Sequence, residues 1–117
     1  MNNNNPLVSI IIRTYNRAYC LSRTIDSVIY QTYDNWEIIL VDNHSTDSTY
    51  SLVSAYNDKR IRYYLIHNYG IIASSTNLGL HHSNGVYIAF LDSDDWWFPN
   101  KLMLSIQALE SGYDLIY

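Results

Sequence analysis

Four short, almost unbroken apolar runs fix what this chain can fold into: Leu7-Val8-Ser9-Ile10-Ile11-Ile12, Trp36-Glu37-Ile38-Ile39-Leu40-Val41, Ile61-Arg62-Tyr63-Tyr64-Leu65-Ile66 and Val86-Tyr87-Ile88-Ala89-Phe90-Leu91. Runs of this kind, without polar alternation, read as strands covered on both faces, which is the situation inside a parallel sheet. The stretches between them carry helical spacing. Leu21, Ile25 and Val28 mark a helix over roughly 18–31, and Leu52, Val53 and Tyr56 mark a second, preceded by the capping side chains of Ser45-Thr46-Asp47. A third helix is expected from about Ile72 to His82, stopped by Gly85. A fourth opens at Pro99, presents Leu102, Ile106 and Leu109 on one face and ends at Gly112. Strands alternating with helices imply right-handed crossovers and an α/β class: a three-layer α/β/α sandwich around a mostly parallel, Rossmann-like sheet. One domain is expected over 7–117, behind a disordered polar N-terminus over 1–6. The last residues, Asp114-Leu115-Ile116-Tyr117, lie in or beside a further strand, so the chain reads as the N-terminal part of a larger domain.

Composition narrows the function. Of the 117 residues 48% are hydrophobic and 15% charged, enough for a real core. Seven basic against eleven acidic residues leave a formal charge of −4 with no lysine or arginine cluster, which argues against nucleic acid as a partner. Cys20 is the lone cysteine, so no internal disulfide forms, and no leader peptide is recognisable. No apolar stretch approaches the roughly 20 residues needed to span a bilayer. A cytoplasmic location is the expectation.

The chemistry concentrates in Leu91-Asp92-Ser93-Asp94-Asp95-Trp96-Trp97, where three carboxylates in four positions follow the fourth apolar run. Like charges this close repel by a few kcal/mol even at an effective dielectric of about 20, so a fold that clusters them usually supplies a cation. Oxygen-only ligands suit Mg2+ or Mn2+, and a divalent ion held by one or two carboxylates keeps open positions for a diphosphate. A metal-nucleotide site is the leading reading; the bland alternative is a solvated turn, with Asp95 capping the next helix. One of Trp96 and Trp97 is expected in the core, the other near an acceptor.

Ligands of such sheets bind beyond the carboxyl ends of the strands. Thr14, Tyr15 and Asn16 follow strand one, Asp42 and Asn43 follow strand two, and Asp92 to Asp95 follow strand four, so three strand ends converge on one edge. Asp42 is expected to contact a base or ribose, while Asp47 is expected to cap a helix. Asn68-Tyr69-Gly70 and Asn77 flank the third helix as turn, packing or binding residues. His44, His67, His81 and His82 lack metal spacing; adjacent helical residues point about 100° apart. With only Gly70, Gly79, Gly85 and Gly112, neither G-x-G-x-x-G nor a P-loop can be written.

Taken together, Val8 to Arg17, Ile38 to Thr49, Asn68 to Gly79 and Tyr87 to Trp97 resemble family 2 glycosyltransferases of the GT-A fold. The resemblance implies a nucleotide-diphosphate sugar donor, a UDP-sugar by default, and an Asp-x-Asp signature at Asp92-Ser93-Asp94. Asp94 would carry Mn2+ or Mg2+, and Asp92 would face ribose, sugar or a ligand water. Ser93 and Asn77 complete the implied donor site with Thr14, Tyr15, Asn16, Asp42 and Asn43. It further implies an inverting transfer to a saccharide or lipid-linked acceptor, in bacterial polysaccharide or glycolipid assembly at the inner face of the membrane. Its catalytic base is expected beyond Tyr117, so these residues alone would bind donor without transferring sugar. Three positions depart from the pattern: Arg13 stands where proline is usual, Asn43-His44 replaces Asp-Gly, and Thr76 replaces a frequent arginine.

Two other readings stay open. A phospho-acceptor receiver domain has similar length and an acidic pocket, but needs its aspartate after strand three, where this chain has His67-Asn68. A transferase-like module without catalysis is the other. If the chain is the N-terminal part of a larger domain, apolar surface left bare where the rest would pack could drive self-association.

Overall fold

A computed structural model describes residues 5–112. Four strands and four helices alternate: β1 (Val8–Thr14), α1 (Ala18–Ile29), β2 (Trp36–Asp42), α2 (Thr49–Ser54), β3 (Ile61–Leu65), α3 (Ile72–His81), β4 (Tyr87–Phe90) and α4 (Lys101–Glu110). The sheet is wholly parallel in the order β3-β2-β1-β4. Successive strands run outward from β1 to β3, and the chain then crosses back to place β4 on the other side of β1. That reversal puts a crevice at the carboxyl ends of β1 and β4, where ligands of open α/β sheets bind. The order also rules out the receiver reading, because that fold pairs its strands as 2-1-3-4-5.

The two faces of the sheet are built differently. Val8, Ile10 and Ile12 of β1 and Trp36, Ile38 and Leu40 of β2 meet Leu21, Ile25 and Val28 of α1, Val53 of α2, and Leu102 and Ile106 of α4 in the main core. On the reverse face Ile11, Ile39 and Val41 form a smaller cluster with Leu78 of α3. Three layers result, as the sequence predicts. The glycine of α3 has a packing reason, since a Cβ on Gly79 would stand 2.7 Å from Ile11 Cγ2.

One expectation is corrected. The run Val86 to Leu91 reads as a buried strand, yet among the described residues β4 is an edge strand whose reverse face is bare: Val86 is 70%, Ile88 39% and Phe90 51% exposed. Composition reports that a strand is apolar and not whether a neighbour covers it; on this face α3 lies over β1 and β2, and among the described residues no helix lies over β4. The expected element around Asp114-Leu115-Ile116-Tyr117 falls outside the described residues, as does most of the N-terminal polar run.

A polar knot ties β1, β2, β3 and the turn ahead of β4 together at the other end of the sheet. Ser9 Oγ donates to Glu37 Oε2 at 2.6 Å, the Asn84 N–H donates to the same oxygen at 2.8 Å, and Arg62 Nη2 reaches Glu37 Oε1 at 2.7 Å. Burial alone would raise the Glu37 carboxyl, but the donors from Ser9, Asn84 and Arg62 outweigh it and hold it below its ordinary value. A depressed carboxyl stabilises the fold fully above its unfolded value of 4.5 and loses that contribution as pH falls through the folded value. The urea midpoint is therefore expected to fall steadily below about pH 4.5. Glu37→Gln should flatten that acid limb while lowering stability near neutral pH by about 2 kcal/mol, the worth of hydrogen bonds to a charged group. An unchanged acid limb in the variant would remove Glu37 from this role.

Candidate functional site

The crevice at the β1/β4 switch is an open cleft of about 500 Å³, lined by Arg13, Thr14, Tyr15 and Arg17 after β1, Asn43 after β2, Asn68, Gly70, Ile72 and Ser75 around the start of α3, and Asp92, Ser93 and Asp94 after β4. Thr14, Tyr15, Asn43, Asp92, Ser93 and Asp94 are thus brought together, as the strand-end argument predicts. Thr14 is nearly buried, and among the described residues its Oγ1 has no hydrogen-bond partner, an unsatisfied group of the kind that costs a fold free energy unless something else answers it.

Three other predicted residues lie outside the lining. Asp42 is 1% exposed. Its Oδ1 accepts the Ser45 N–H at 3.0 Å and the Ser45 hydroxyl, while Oδ2 accepts Tyr63 Oη. Burial, and then the bond to Asp42, push the Tyr63 phenol upward, so it stays a donor at physiological pH. Asp42 shapes the loop after β2 from beneath. Asn16 fastens the β1 and β2 loops together: its N–H donates to Ser45 Oγ at 2.8 Å and its Oδ1 accepts the Thr46 N–H at 2.7 Å. Asn77 is exposed on α3, whose Ile72 and Ser75 face the cleft instead.

Asp47 caps as predicted, and does so twice. Its Oδ1 accepts the Thr49 N–H at 3.1 Å at the start of α2, and its Oδ2 accepts the Ala18 N–H at 3.0 Å at the start of α1. Asn43 Oδ1 accepts the Asn68 N–H at 2.9 Å, leaving its amide N–H groups as the donors available to a ligand. Asn16, His44 and Tyr69, one in each loop after β1, β2 and β3, have φ of 51°, 49° and 52°. Side chains rarely adopt this left-handed region. The His44 ring is stacked on His67 with centroids 3.4 Å apart.

The acid turn is held from α1. Thr24, fully buried, places its hydroxyl 3.0 Å from the Ser93 carbonyl oxygen and in contact with that of Asp95, and Cys20 Sγ lies 3.5 Å from the same Ser93 oxygen. The Asp95 N–H closes the turn onto the Asp92 carbonyl at 3.0 Å. Two arginines face the acids: Arg17 Nη1 donates to Asp94 Oδ2 at 2.9 Å, and Arg13 Nη2 stands 3.9 Å from Asp92 Oδ1 while Nη1 donates to Thr76 Oγ1 at 3.1 Å. Sequence reasoning missed Arg17 and Thr24; only their contacts across 77 and 69 residues reveal them. Thr24→Val should lower stability by about 1–2 kcal/mol by stripping the buried Ser93 carbonyl of its hydroxyl donor, with Thr24→Ser restoring most of it in urea unfolding. Equal stability of the valine and serine variants would mean the hydroxyl is idle.

Among the described residues no group of three or more histidine, cysteine, aspartate or glutamate side chains could cage a metal. Asp92 and Asp94, 73% and 53% exposed at the mouth of the cleft, are an oxygen pair with vacant directions on the solvent side. That donor set fits a Mg2+ or Mn2+ ion that shares its coordination with a phosphate ligand rather than a caged structural ion. Trp97 packs against the main core, whereas Trp96, 44% exposed, meets Phe98 edge-on at 5.1 Å beside the acid turn.

A parallel sheet with helices on both faces and a switch-point cleft, two carboxylates at its mouth and two arginines beside them, defines the class: a Rossmann-like α/β protein with a charged cleft at its strand ends. Residues 9–117 match the family described as Glycosyl transferase family 2, and the chain belongs to that family. It is 42% identical over 104 residues, 88% of its length, to the Escherichia coli UDP-Glc:alpha-D-GlcNAc-diphosphoundecaprenol beta-1,3-glucosyltransferase WfgD. Of that enzyme the aligned part is 41%, and the chain likewise spans less than half of other curated relatives it matches. Its fold is like that of S. aureus TarS 1-349 in complex with UDP, with a TM-score of 0.83 at 26% identity over 89% of this chain and 32% of that one. The Pyrobaculum calidifontis mannosyltransferase PcManGT, in complex with GDP-Man and Mn2+, gives 0.78 at 26% identity over 96% and 34%. These neighbours are GT-A glycosyltransferases, and the sheet described above is of that type.

Proposed function

We propose that this chain is the donor-binding part of an inverting glycosyltransferase that moves a sugar from a nucleotide-diphosphate sugar, UDP-linked by default, to a saccharide or lipid-linked acceptor. The observation that carries the proposal is the cleft itself: orphaned Thr14 Oγ1, the free donors of Asn43 and the Asp92/Asp94 pair line one cavity at the switch point. Tyr15, 54% exposed on the rim, offers a ring face to a base. A bound Mn2+ or Mg2+ would neutralise charge that develops on the departing diphosphate. Asp94 and Asp92 would hold it, Arg13 and Arg17 would add fixed positive charge, and Thr24 would keep the acid turn in register.

The base that deprotonates the acceptor is proposed to lie outside this chain. In support, among the described residues the carboxylates lining the cleft are the two assigned to the metal. An acceptor carried on a lipid would bring the protein to the inner face of a membrane as a peripheral partner; no described helix is long and apolar enough to cross one. The bare face of β4 is a site for self-association or for a covering segment.

Calorimetric titration of UDP, GDP and deoxythymidine diphosphate, each with and without Mn2+, tests the reading. Mn2+-dependent binding of one of them, with no sugar transfer by the chain alone, is expected. A folded chain that binds none would overturn it, and turnover on any acceptor would overturn the assignment of the base.

A further inference from the structure

Arg17 is not an ordinary surface ion pair. Its guanidinium reaches from the loop ahead of α1 to a carboxylate 77 residues away, on the turn after β4, and meets it at 2.9 Å at the mouth of the cleft. Asp94 itself has no other side-chain donor recorded among the described residues; Arg23 Nη2 approaches only its backbone carbonyl, at 3.4 Å. Arg13, by contrast, is tied through Nη1 to Thr76 and stands 3.9 Å from Asp92, beyond hydrogen-bond reach. Of the two arginines, one is anchored in the wall and the other rests on the acid proposed above to hold the cation. Without a ligand the two acids and two arginines balance, two charges of each sign.

We propose that Arg17 is a displaceable counter-ion: it occupies Asp94 until a divalent cation takes that carboxylate, and the released guanidinium then binds the donor's diphosphate. The proposal rests on the donor-binding function proposed above. A cation and a guanidinium cannot share one oxygen of a single carboxylate at full strength, so each weakens the other. With the side chain of Arg17 41% exposed, its stem is free to swing by ordinary rotamer changes. An anion arriving with the metal then supplies what Asp94 gave up, and Arg13, already held in the wall, faces the same ligand. Before any ligand arrives, the pairing also keeps the site from carrying adjacent unpaired negative charges.

This arrangement has a signature that a merely structural ion pair lacks, because one substitution moves two affinities in opposite directions. Mn2+ binding is read from the free-ion electron paramagnetic resonance signal, and UDP binding at saturating Mn2+ by calorimetry, on the chain and on Arg17→Gln, Arg23→Gln and Asp94→Asn. Arg17→Gln should bind Mn2+ about fivefold more tightly, as loss of an exposed ion pair allows, and UDP about tenfold more weakly, as loss of a charge-assisted bond to phosphate implies. Arg23→Gln removes the same charge without touching the carboxylate and should shift each affinity less than about twofold. Unchanged or weaker Mn2+ binding by Arg17→Gln, unweakened UDP binding, or equal shifts in Arg23→Gln would overturn the counter-ion. Failure of the underlying function looks different: Asp94→Asn would then match the unsubstituted chain in Mn2+ binding, or no variant would bind Mn2+ or UDP at all.

Discussion

Asp94→Ala is expected to weaken Mn2+-dependent UDP binding about a hundredfold or more while leaving the urea midpoint nearly unchanged. The two halves of this expectation have separate causes. Losing an outer partner of a metal site already costs about 10–100-fold in affinity, and Asp94 is proposed as a direct ligand in a set of only two carboxylates. Stability, however, hardly depends on a half-exposed side chain whose side-chain partner among the described residues is an exposed arginine, since such pairs contribute about 0–1 kcal/mol. The geometry of the turn is carried instead by backbone and by Thr24. Calorimetry and urea unfolding of the same preparation separate the two. Retained Mn2+-dependent binding would move the metal to another residue, and a collapse in stability would mean that Asp94 is structural.

The largest loss of stability is expected from a residue that takes no part in the site. A Cβ on Gly85 would lie 2.6 Å from the Ser9 nitrogen, 2.7 Å from Ser9 Oγ and 2.8 Å from the Leu7 carbonyl oxygen. Two of those three atoms are backbone, at the start of a central strand that cannot step aside without breaking its pairing to β2. The Gly85 N–H also donates to Ser9 Oγ at 2.8 Å, which in turn donates to Glu37. Gly85→Ala should therefore combine overpacking with damage to the polar knot, about 3 kcal/mol together, and lower the melting temperature by on the order of 10 °C. Gly70 makes a useful contrast. Nothing lies within 4 Å of its hypothetical Cβ, and only its φ of +82° resists a side chain, so Gly70→Ala should cost about 1 kcal/mol. Similar melting temperatures for the two variants would contradict the close approach of Gly85 to β1.

The contrast between these glycines shows what could be read from the chain alone. Helix and strand positions follow from local pattern: Leu21, Ile25 and Val28 on one stripe, and the isoleucines of β1 without polar interruption, leave few alternatives. Convergence of Thr14, Asn43 and Asp92 follows from the same pattern through the rule for parallel sheets. Gly85, by its position, reads as a helix stop, whereas its demanding neighbour is Ser9, 76 residues earlier. Asp42 was legible as the acid at a strand end but not as a buried acceptor for Ser45 and Tyr63, because burial depends on what the β3 strand brings over it. Edge and centre positions of a sheet look alike in composition, which is why the bare face of β4 could not be foreseen. Arg17 and Thr24 are ordinary residues of a loop and a helix until the last turn folds against them.

The departure at Asn43-His44 has a cost visible in the backbone. His44 holds a side chain at φ 49°, a conformation glycine would adopt freely, and Asn16 and Tyr69 do the same in the two neighbouring loops. Strain of this kind, of order 1 kcal/mol or more at each residue, collects on the rim of the cleft and nowhere else among the described residues. For anyone wishing to harden this protein against heat, the rim is thus where free energy is most readily recovered. It is also where the change would be felt first as altered ligand preference, so thermal tolerance and the donor preference proposed for this chain are not independent traits to be selected one at a time.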